Sequence, residues 1–486
     1  MITTLIGKTF LKAYNEKYGK SYSAKEFFEE EYFELFFNHP KYMQWITNSP
    51  FVQGITTSDE GEYGIELCKT KIKEETVFSE LYKKAIQENG KERITLKTDK
   101  SKGVVKILLK NDLQQRQSRL LKFNENISNG ARDGSIAIGY PASEENGYGT
   151  YSGLVSDLYL DISDEDVYFS WIGAGLGIGM AGGYSLLVNK DEINLELFEG
   201  WKHYRKLLED ATLSKLKGNQ INTWNGQWLT YRLGKRYKEE FDFSNLEDEG
   251  MFKIEDSLIQ VDTVNWSNLF FSLSNSFPNE VINSYVYSIG DKNNTIGFIP
   301  IYLKAGKKLI EVFKQLFHTD LPFNNKDFQS LFGMHIKRAC ELGNIGLHAL
   351  RPDNLKKYME EDKNLSFKKE EDNLIYQSFK TWLIAMLSKN KEEITDYTSK
   401  IAKILLKYKN SGKGNSRITL IEKELLQSKS KKNFLDSLTT VILDAEDECL
   451  NELKSFRDEI HLMTNEEFGY LLTLLKFDYV FIQRKS

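Results

Sequence analysis

The stretch that decides the fold of this chain begins Val167-Tyr168-Phe169-Ser170-Trp171-Ile172 and continues Gly173-Ala174-Gly175-Leu176-Gly177-Ile178-Gly179-Met180-Ala181-Gly182-Gly183. The first part is short and mostly aromatic or β-branched, which predicts a buried strand. The second part has six glycines in eleven residues, and the run Tyr184 to Val188 after it predicts another strand. Because glycine lets a backbone approach a ligand closely, the glycine-rich segment is a candidate binding loop.

Side-chain amides are concentrated in a second segment, Lys217-Gly218-Asn219-Gln220-Ile221-Asn222-Thr223-Trp224-Asn225-Gly226-Gln227-Trp228. Five of the nine residues from 219 to 227 are Asn or Gln. Carboxamides can pair with base edges, and aromatic rings can stack on bases or wedge between them. The alternative is a polar loop that two core tryptophans, Trp224 and Trp228, hold in place.

The composition is that of a globular protein. The chain has 486 residues, 40% of them hydrophobic and 28% charged, which suggests about two to four domains. No run approaches the ~18 apolar residues of a membrane span, and the first residues lack a signal-peptide pattern. Cys68, Cys340 and Cys449 lie far apart, which indicates a reducing compartment and no zinc site. We therefore expect a cytoplasmic protein.

The net charge of −5 hides two basic patches. Residues 91–122 hold ten Lys or Arg against three acids, and residues 400–432 hold ten against two. The compensating acidic residues are concentrated between Asp444 and Glu467. Separated basic patches favour contacts with nucleic-acid phosphates, although lysine-rich faces are often only solvated.

The pattern of elements predicts an α+β fold. A large mixed α/β N-terminal portion, residues 1–370, is expected to precede a helical bundle, residues 371–486. Within the first portion, residues 1–90 are expected to be helical and 91–350 to contain sheet, and Ser23 with Glu26 forms a capping-box pattern. We expect strands at 93–97, 104–109, 284–289 and 295–299, and helices at 195–208, 227–240 and 303–318. The bundle is expected to hold helices at 374–387, 393–408, 418–426, 434–456 and 466–481.

The sequence offers little for catalysis. Gly173-x-Gly175-x-Gly177 has the wording of a dinucleotide fingerprint, but it leads towards a predicted strand and not into a helix. The six histidines are dispersed, and no pair has metal-ligand spacing on one helix face. Gly-x-Ser-x-Gly is absent. We therefore predict no catalytic residue, no metal and no cofactor.

These pieces together resemble the large subunit of type I CRISPR interference complexes (Cascade). The resemblance rests on the glycine-rich segment, on Leu216-Lys217-Gly218-Asn219-Gln220-Ile221-x-Thr223-Trp224-Asn225-Gly226-Gln227, and on a helical C-terminal part. That part ends in Arg457-Asp458-Glu459-Ile460-His461-Leu462-Met463 and Phe468-Gly469-Tyr470-Leu471-Leu472-Thr473-Leu474-Leu475-Lys476-Phe477. Some relatives carry a paired Cys-x-x-Cys zinc site, which this sequence lacks.

The resemblance implies a subunit without chemistry of its own. Its partners would be guide RNA, the backbone subunits that bind this RNA, duplex target DNA, the displaced single strand and a helicase-nuclease. It would recognise the protospacer-adjacent motif in duplex DNA, aid strand opening and support the displaced strand, while the guide reads the target sequence.

Candidate DNA-binding residues follow from the clusters. For motif reading or strand wedging we expect Asn129, Arg132, Asn219, Gln220, Asn222, Asn225 and Gln227. For close backbone approach we expect Gly177, Gly179 and Gly182. For duplex phosphates we expect Lys100, Lys102, Arg116, Arg119 and Lys122. For the displaced strand we expect Lys403, Lys407, Lys409, Lys413 and Arg417.

Two other classes of function stay open. One is a cytoplasmic defence enzyme that uses the glycine-rich loop to bind a nucleotide or nucleic acid, and a metal-dependent activity lost on one Asp or Glu substitution would favour it. The other is a structural adaptor in a multi-protein assembly, which the 13% aromatic content also permits.

Overall fold

The chain divides into two compact units, each discontinuous in sequence. The N-terminal unit comprises Met1–Arg232, Tyr237–Val264 and Ile282–Phe298, and the C-terminal unit comprises Leu233–Arg236, Asn265–Val281 and Ile299–Ser486. The boundary predicted at 370/371 falls inside the C-terminal unit. The computed structural model describes residues 2–44, 51, 65–66, 93–97, 104–108, 112–131, 136, 141–142, 154–155, 162–288, 294–333, 336–360, 370–387, 394–411 and 415–485.

The N-terminal unit combines helices and strands. Its helices are α1 (Ile2–Tyr18), α2 (Ala24–Phe27), α3 (Phe33–Phe36), α4 (Asp112–Ser128), α5 (Asp164–Gly175), α6 (Asp191–Glu209), α7 (Ile221–Arg232) and α8 (Phe243–Asp248). Its strands are β1 (Ile65–Glu66), β2 (Arg93–Lys97), β3 (Val104–Leu108), β4 (Pro141–Ala142), β5 (Leu154–Val155), β6 (Ile178–Met180), β7 (Tyr184–Val188), β8 (Phe252–Glu255) and β9 (Leu258–Val261). The capping box predicted at Ser23 is confirmed, because Ser23 Oγ accepts from the Glu26 amide and the Glu26 carboxylate accepts from the Ser23 amide.

Four strands form one sheet in the order β11-β10-β7-β6, where β10 is Val281–Ser288 and β11 is Asn294–Tyr302. Strand β7 is antiparallel to both neighbours, with Leu186 opposite Val286 on β10 and opposite Ile178 on β6. The described strands also include an antiparallel sheet β1-β3-β2, a parallel pair β4-β5 and an antiparallel pair β8-β9. The strands predicted at 93–97, 104–109, 184–188, 284–289 and 295–299 are confirmed, with small differences at their ends.

The prediction of a strand at Val167 to Ile172 is wrong, because these residues lie in helix α5. Ser163 caps this helix, with Ser163 Oγ accepting from the Asp166 amide and the Asp166 carboxylate accepting from the Ser163 amide. From Val167 to Gly175 every residue is buried. A helix buried on all sides has no polar face, and so its apolar run cannot be told from a buried strand by periodicity.

Helices α1 and α5 touch backbone to backbone. A Cβ atom on Gly7 would overlap the carbonyl oxygen of Phe169, and one on Gly173 would overlap the carbonyl oxygen of Thr3. Both positions therefore require glycine, since any side chain would push the helices apart. At the end of α5, a Cβ atom on Gly175 would lie 2.9 Å from the Tyr32 ring and 3.1 Å from the Phe36 ring.

A π-helical turn, Phe28–Tyr32, joins α2 to α3. It carries fully buried rings towards α5, where Phe28 lies 5.4 Å from Tyr168 between ring centroids. Tyr32 stacks on Phe36 at 4.1 Å and donates a hydrogen bond to Gln44 Oε1 at 2.7 Å. These buried rings fill the space between the π-helical turn and α5.

The C-terminal unit is largely helical. Its helices are α9 (Trp266–Ser276), α10 (Lys304–Phe317), α11 (Lys326–Ser330), α12 (Ile336–Leu342), α13 (Leu355–Glu360), α14 (Glu370–Leu387), α15 (Ile394–Asn410), α16 (Ser416–Ile418), α17 (Lys431–Asp444), α18 (Leu450–Leu462) and α19 (Asn465–Lys485). A π-helical segment, Thr419–Leu425, continues α16, and 3₁₀ turns lie at Leu321–Asn324 and Asp447–Cys449. The predicted α+β class, with helices dominating the C-terminal part, is confirmed. None of the described helices is long and apolar enough to cross a membrane.

The predicted single helix at 434–456 is wrong, because two helices occupy this region. Helix α17 ends at Asp444, and α18 begins at Leu450. Ala445 and Glu446 have extended backbones with ψ of 153° and 146°, so they interrupt the helical hydrogen bonds. The residues on both sides keep a helical spacing of apolar side chains, which is why the sequence pattern runs through the break.

A buried ion pair joins the first and last helices of the bundle. Lys380 Nζ on α14 lies 2.8 Å from Asp478 Oδ1 on α19, with only 11% and 2% of these side chains exposed. Thr398 on α15 donates a hydrogen bond of 2.7 Å to Asp478 Oδ2. Burial by itself would lower the pKa of Lys380, but the Asp478 carboxylate outweighs it and raises that pKa above its ordinary value.

We expect Gly173→Ala to lower the free energy of unfolding of the N-terminal unit by about 1–3 kcal/mol or more, because the methyl group would overlap the Thr3 carbonyl. Urea denaturation followed by far-ultraviolet circular dichroism measures this change. Gly469→Ala on α19 is the control, since its Cβ would lie 3.6 Å from Met359 Cε, an ordinary contact. The control should leave stability unchanged or raise it by about 0.5–1 kcal/mol. If the denaturation midpoint of Gly173→Ala equals that of the wild type, the close backbone contact between α1 and α5 is contradicted.

We expect Asp478→Asn to lower the free energy of unfolding of the C-terminal unit by about 3–5 kcal/mol, because it leaves the buried Lys380 charge without its counter-charge. Asp458→Asn is the matched control, since it removes an exposed pair with Arg457 and should cost less than about 1 kcal/mol. Equal losses in urea denaturation would contradict this difference. Because the pKa of Lys380 is raised, the pair's contribution is complete below lysine's ordinary pKa and is lost as the pH rises through the raised value.

Candidate nucleic-acid interface

Most of the predicted glycine loop lies inside the N-terminal unit. Gly177 and Gly179 are buried, and Gly179 belongs to strand β6. A Cβ atom on Gly179 would lie 2.8 Å from the Asn222 carbonyl carbon, and one on Gly226 would overlap the Gly179 carbonyl oxygen. Strand β6 therefore packs directly on helix α7. The predicted approach of Gly177 and Gly179 to a DNA backbone is wrong, because other parts of the protein already occupy that space.

The turn between β6 and β7 is different, since it reaches solvent. Gly182 and Gly183 are exposed and have φ of +90° and +78°, values that favour glycine. Among the described residues, none lies within 4 Å of a Cβ built on Gly183, and a Cβ on Gly182 would lie 3.3 Å from the Tyr184 ring. Gly182 thus keeps the accessibility that its predicted role requires.

Asn225, predicted to read bases, is fully buried and has its hydrogen bonds inside the protein. Its Nδ2 donates to the carbonyl oxygens of Gly175 and Gly177 at 2.8 and 2.9 Å, and its Oδ1 accepts from Trp201 Nε1 at 3.1 Å. The first two bonds satisfy carbonyl groups at the C-terminal end of α5, where helical partners run out. The DNA-reading role of Asn225 is therefore wrong, and its role is structural.

The other amides of the segment also face inward, to different degrees. Gln227 is buried and donates from Nε2 to the Asp262 carbonyl oxygen at 3.0 Å, so its predicted contact with DNA is wrong. Gln220 is half-buried and accepts from the Val261 amide at 3.1 Å. Asn219 is half-buried with a left-handed φ of 47°, and its backbone N–H donates to the Tyr42 carbonyl oxygen. Half-buried Asn222 lies 3.5 Å from Ser185 Oγ.

The amide-rich segment is helical from Ile221, so the helix predicted at 227–240 starts earlier and ends at Arg232. One turn carries Trp224 and Trp228, whose indole NH groups donate to the carbonyl oxygens of Gly200 and Glu196 on α6. The sequence allowed two interpretations of this segment, a base-reading surface or a polar segment held in place by core tryptophans. The structure favours the second interpretation.

Arg116, predicted to bind duplex phosphates, is buried at 3% exposure. Its guanidinium donates to the carbonyl oxygens of Phe37 and His39, both at 2.6 Å. These carbonyls follow the end of α3, where a positive charge is favourable. The phosphate role of Arg116 is wrong because its guanidinium is committed to this chain segment.

Arg205 on α6 also binds backbone carbonyls at and after the end of α3, and it was not among the predicted site residues. It donates from Nε to the Leu35 carbonyl oxygen at 2.8 Å and from Nη1 to that of Lys41 at 3.1 Å. Burial lowers the pKa of Arg205 to about 10, so the group stays charged at neutral pH. Its position among Trp201, Tyr204 and Leu208, on the apolar side of α6, was the available signal.

The remaining N-terminal candidates lie on or near α4. Lys122 and Asn129 are exposed, and Arg119 is half-buried. Their predicted contacts with DNA stay predictions. Lys100, Lys102 and Arg132 lie outside the described residues.

The basic face predicted for the displaced strand lies on α15 and α16 of the C-terminal unit. Lys403 and Lys407 are exposed on α15, one helical turn apart. Lys407 Nζ lies 2.7 Å from Glu446 Oε2 and 3.6 Å from Glu448 Oε2, and the Glu446 carboxylate raises the pKa of Lys407. Lys413 lies outside the described residues.

The Arg417 guanidinium lies over the Tyr408 ring, with the guanidinium carbon 4.3 Å from the ring centroid. One oxygen of Asp444, Oδ2, accepts from Arg417 Nη2 at 2.7 Å and from Tyr408 Oη at 3.0 Å. These two hydrogen bonds lower the pKa of Asp444. Tyr408 and Asp444 were not among the predicted site residues, because nothing in the local sequence shows that residue 444 meets residues 408 and 417.

Lys409 points away from this face into the bundle. Only 11% of its side chain is exposed, and its Nζ lies 3.0 Å from Glu422 Oε1. Glu422 also accepts a hydrogen bond of 3.1 Å from Tyr479 Oη on α19. The predicted contact between Lys409 and the displaced strand is wrong, because this lysine is held between helices. We define the basic face as Lys403, Lys407, Tyr408 and Arg417.

Comparison with known proteins identifies no family for this chain. No protein-family model, no curated protein and no solved structure matches it.

We expect Asn225→Ala to lower the free energy of unfolding of the N-terminal unit by about 2–4 kcal/mol, because it leaves two buried carbonyl groups and the Trp201 indole NH without partners. Asn129→Ala, at an exposed site on the same unit, should change stability by less than about 0.5 kcal/mol. Urea denaturation of both variants measures the difference. Wild-type stability of Asn225→Ala together with weakened DNA binding would restore the base-reading role.

Proposed function

We propose that this chain is the large, non-enzymatic subunit of a cytoplasmic type I CRISPR RNA-guided surveillance complex. In this role it recognises the protospacer-adjacent motif in duplex DNA, aids strand opening and stabilises the displaced strand. The basic face carries the proposal, because it places two exposed lysines beside an arginine that lies over a tyrosine. The α+β portion followed by helices agrees with the resemblance in sequence.

The basic face suits a single strand. Lysine ammonium groups bind phosphates as point charges. Arg417 would bind a phosphate through Nη2, because its Nη1 donates to the Tyr408 carbonyl oxygen at 3.2 Å and to Ser411 Oγ at 2.8 Å. Tyr408 is buried at 7% exposure and supports the Arg417 guanidinium, whose plane offers a flat surface beside those charges. None of these contacts depends on base sequence, which fits a strand that the guide RNA has displaced.

The exposed turn at Gly182 and Gly183 is the best remaining candidate for approach to duplex DNA. It is short, has no bulky side chain at its tip, and is anchored by the packing of Gly179 on Gly226. A rigidly held glycine turn can bring backbone amides close to a groove. In this proposal Asn225 and Gln227 stabilise helix α7, on which the turn is supported, and they do not contact DNA.

Co-purification tests the proposal. The chain is expressed with its chromosomal neighbours and isolated through a tag on this subunit. We expect a small RNA of uniform length and several copies of a backbone subunit to co-purify. Isolation of the chain without RNA or partners would contradict the proposal and would favour the enzyme or adaptor alternatives.

A further inference from the structure

We propose that the chain carries its own competitor for the basic face. Asp444, Glu446 and Glu448, which we call the acidic strap, place carboxylates on the groups that would bind phosphate. The inference rests on the proposed function, because it assumes that the basic face binds the backbone of a single strand. In the strap-bound state the face is partly neutralised, and a nucleic-acid strand must displace the strap to bind.

The strap contacts the basic face at both of its ends. At one end, Asp444 Oδ2 accepts from both Arg417 Nη2 and Tyr408 Oη. A phosphate oxygen could accept from the same two donors, since both are charge-assisted or hydroxyl donors aimed at one point. At the other end, Lys407 Nζ contacts carboxylate oxygens of both Glu446 and Glu448.

The local backbone explains why these carboxylates reach the face. Helix α17 stops at Asp444, and Ala445 and Glu446 are extended, so the side chains of this connection are not arranged by a helix. The 3₁₀ turn Asp447–Cys449 then leads into α18. The excess of basic residues at 400–432 and the acidic region that begins at Asp444 therefore meet in space at this connection.

The strap contacts are weak enough to exchange. The side chains of Asp444, Glu446 and Glu448 are 58%, 55% and 85% exposed, and that of Lys407 is 53% exposed. Ion pairs of this kind add little stability and are screened by salt. A nucleic-acid strand gains affinity by releasing condensed counterions at several phosphates together, so it can replace isolated carboxylates.

A tethered competitor has a definite consequence for selectivity. Because the strap is part of the same unit, its local concentration at the face is high and does not depend on protein concentration. Short or weakly held strands would lose this competition. A strand brought to the face by pairing elsewhere in the complex would win it, since its own local concentration is also high.

The test compares affinities for a fluorescein-labelled oligothymidylate of about 30 nucleotides, long enough for a single-strand groove. Asp444→Asn with Glu446→Gln and Glu448→Gln removes the strap charges. The full chain with this triple substitution should bind about threefold tighter or more, and the slope of log K against log salt should steepen by about 1–2.

A second triple variant controls for net charge. Glu341→Gln with Asp436→Asn and Glu452→Gln removes three exposed carboxylates from the same unit. It changes the net charge equally but should leave the affinity close to that of the wild type. Equal tightening by both triple variants, or no tightening by the strap variant, would overturn the inference. Circular dichroism of each variant verifies that the fold is retained.

A double variant separates this inference from the proposed function. Lys407→Gln with Arg417→Gln removes the cations, and it should weaken binding and abolish the gain of the strap variant. If it weakens binding while the strap variant changes nothing, the basic face binds DNA and the strap inference alone fails. If neither the wild type nor the strap variant binds the oligonucleotide, both the strap and the proposed binding face fail.

Discussion

The close contact of α1 and α5 is the constraint on which the N-terminal unit depends. Gly7 and Gly173 allow the two backbones to meet, and this fixes α5 among the rings of Tyr32 and Phe36. The end of α5 in turn offers the carbonyl groups that Asn225 binds. Asn225 and Gly226 lie on α7, and Gly179 lies on β6. Because Asn225 binds the end of α5 and Gly226 packs on Gly179, the position of α5 also determines the positions of α7 and β6. This series of contacts therefore determines the position of the exposed turn at Gly182 and Gly183.

The sequence could predict elements whose side chains alternate between core and solvent. Helix α10 was predicted correctly, because Leu309, Val312 and Phe313 mark one buried side of that helix. Helix α5 could not be predicted in this way, since burial on every side removes the periodic signal. The break after Asp444 was also hidden, because it is set by the extended backbone of two residues and not by Pro or Gly.

The candidate site could be predicted only in part, and the reason is general. An amide or a guanidinium in a sequence shows a capacity for hydrogen bonds but not the partner. Asn225 and Arg116 use that capacity on backbone carbonyls of this chain. Charge counts indicated the basic stretch that contains Lys403, Lys407 and Arg417, and contact of these residues with a displaced strand stays a prediction. They could not show that carboxylates more than 25 residues away along the chain, such as Asp444, sit on the same groups.

The π-helical turn at Phe28–Tyr32 bears on which changes in chain length the protein can accept. Such a turn holds one residue more than an α-helical turn needs. Because the wide turn takes up this extra residue locally, deleting one residue here would leave a regular helix whose later residues keep nearly the same faces. Phe33, Phe36 and Phe37 would then stay directed towards the core. The same deletion within a regular helix such as α1 would rotate everything after it by about 100°. The π-helical turn is therefore a place where the chain can lose one residue and keep the packing of its rings.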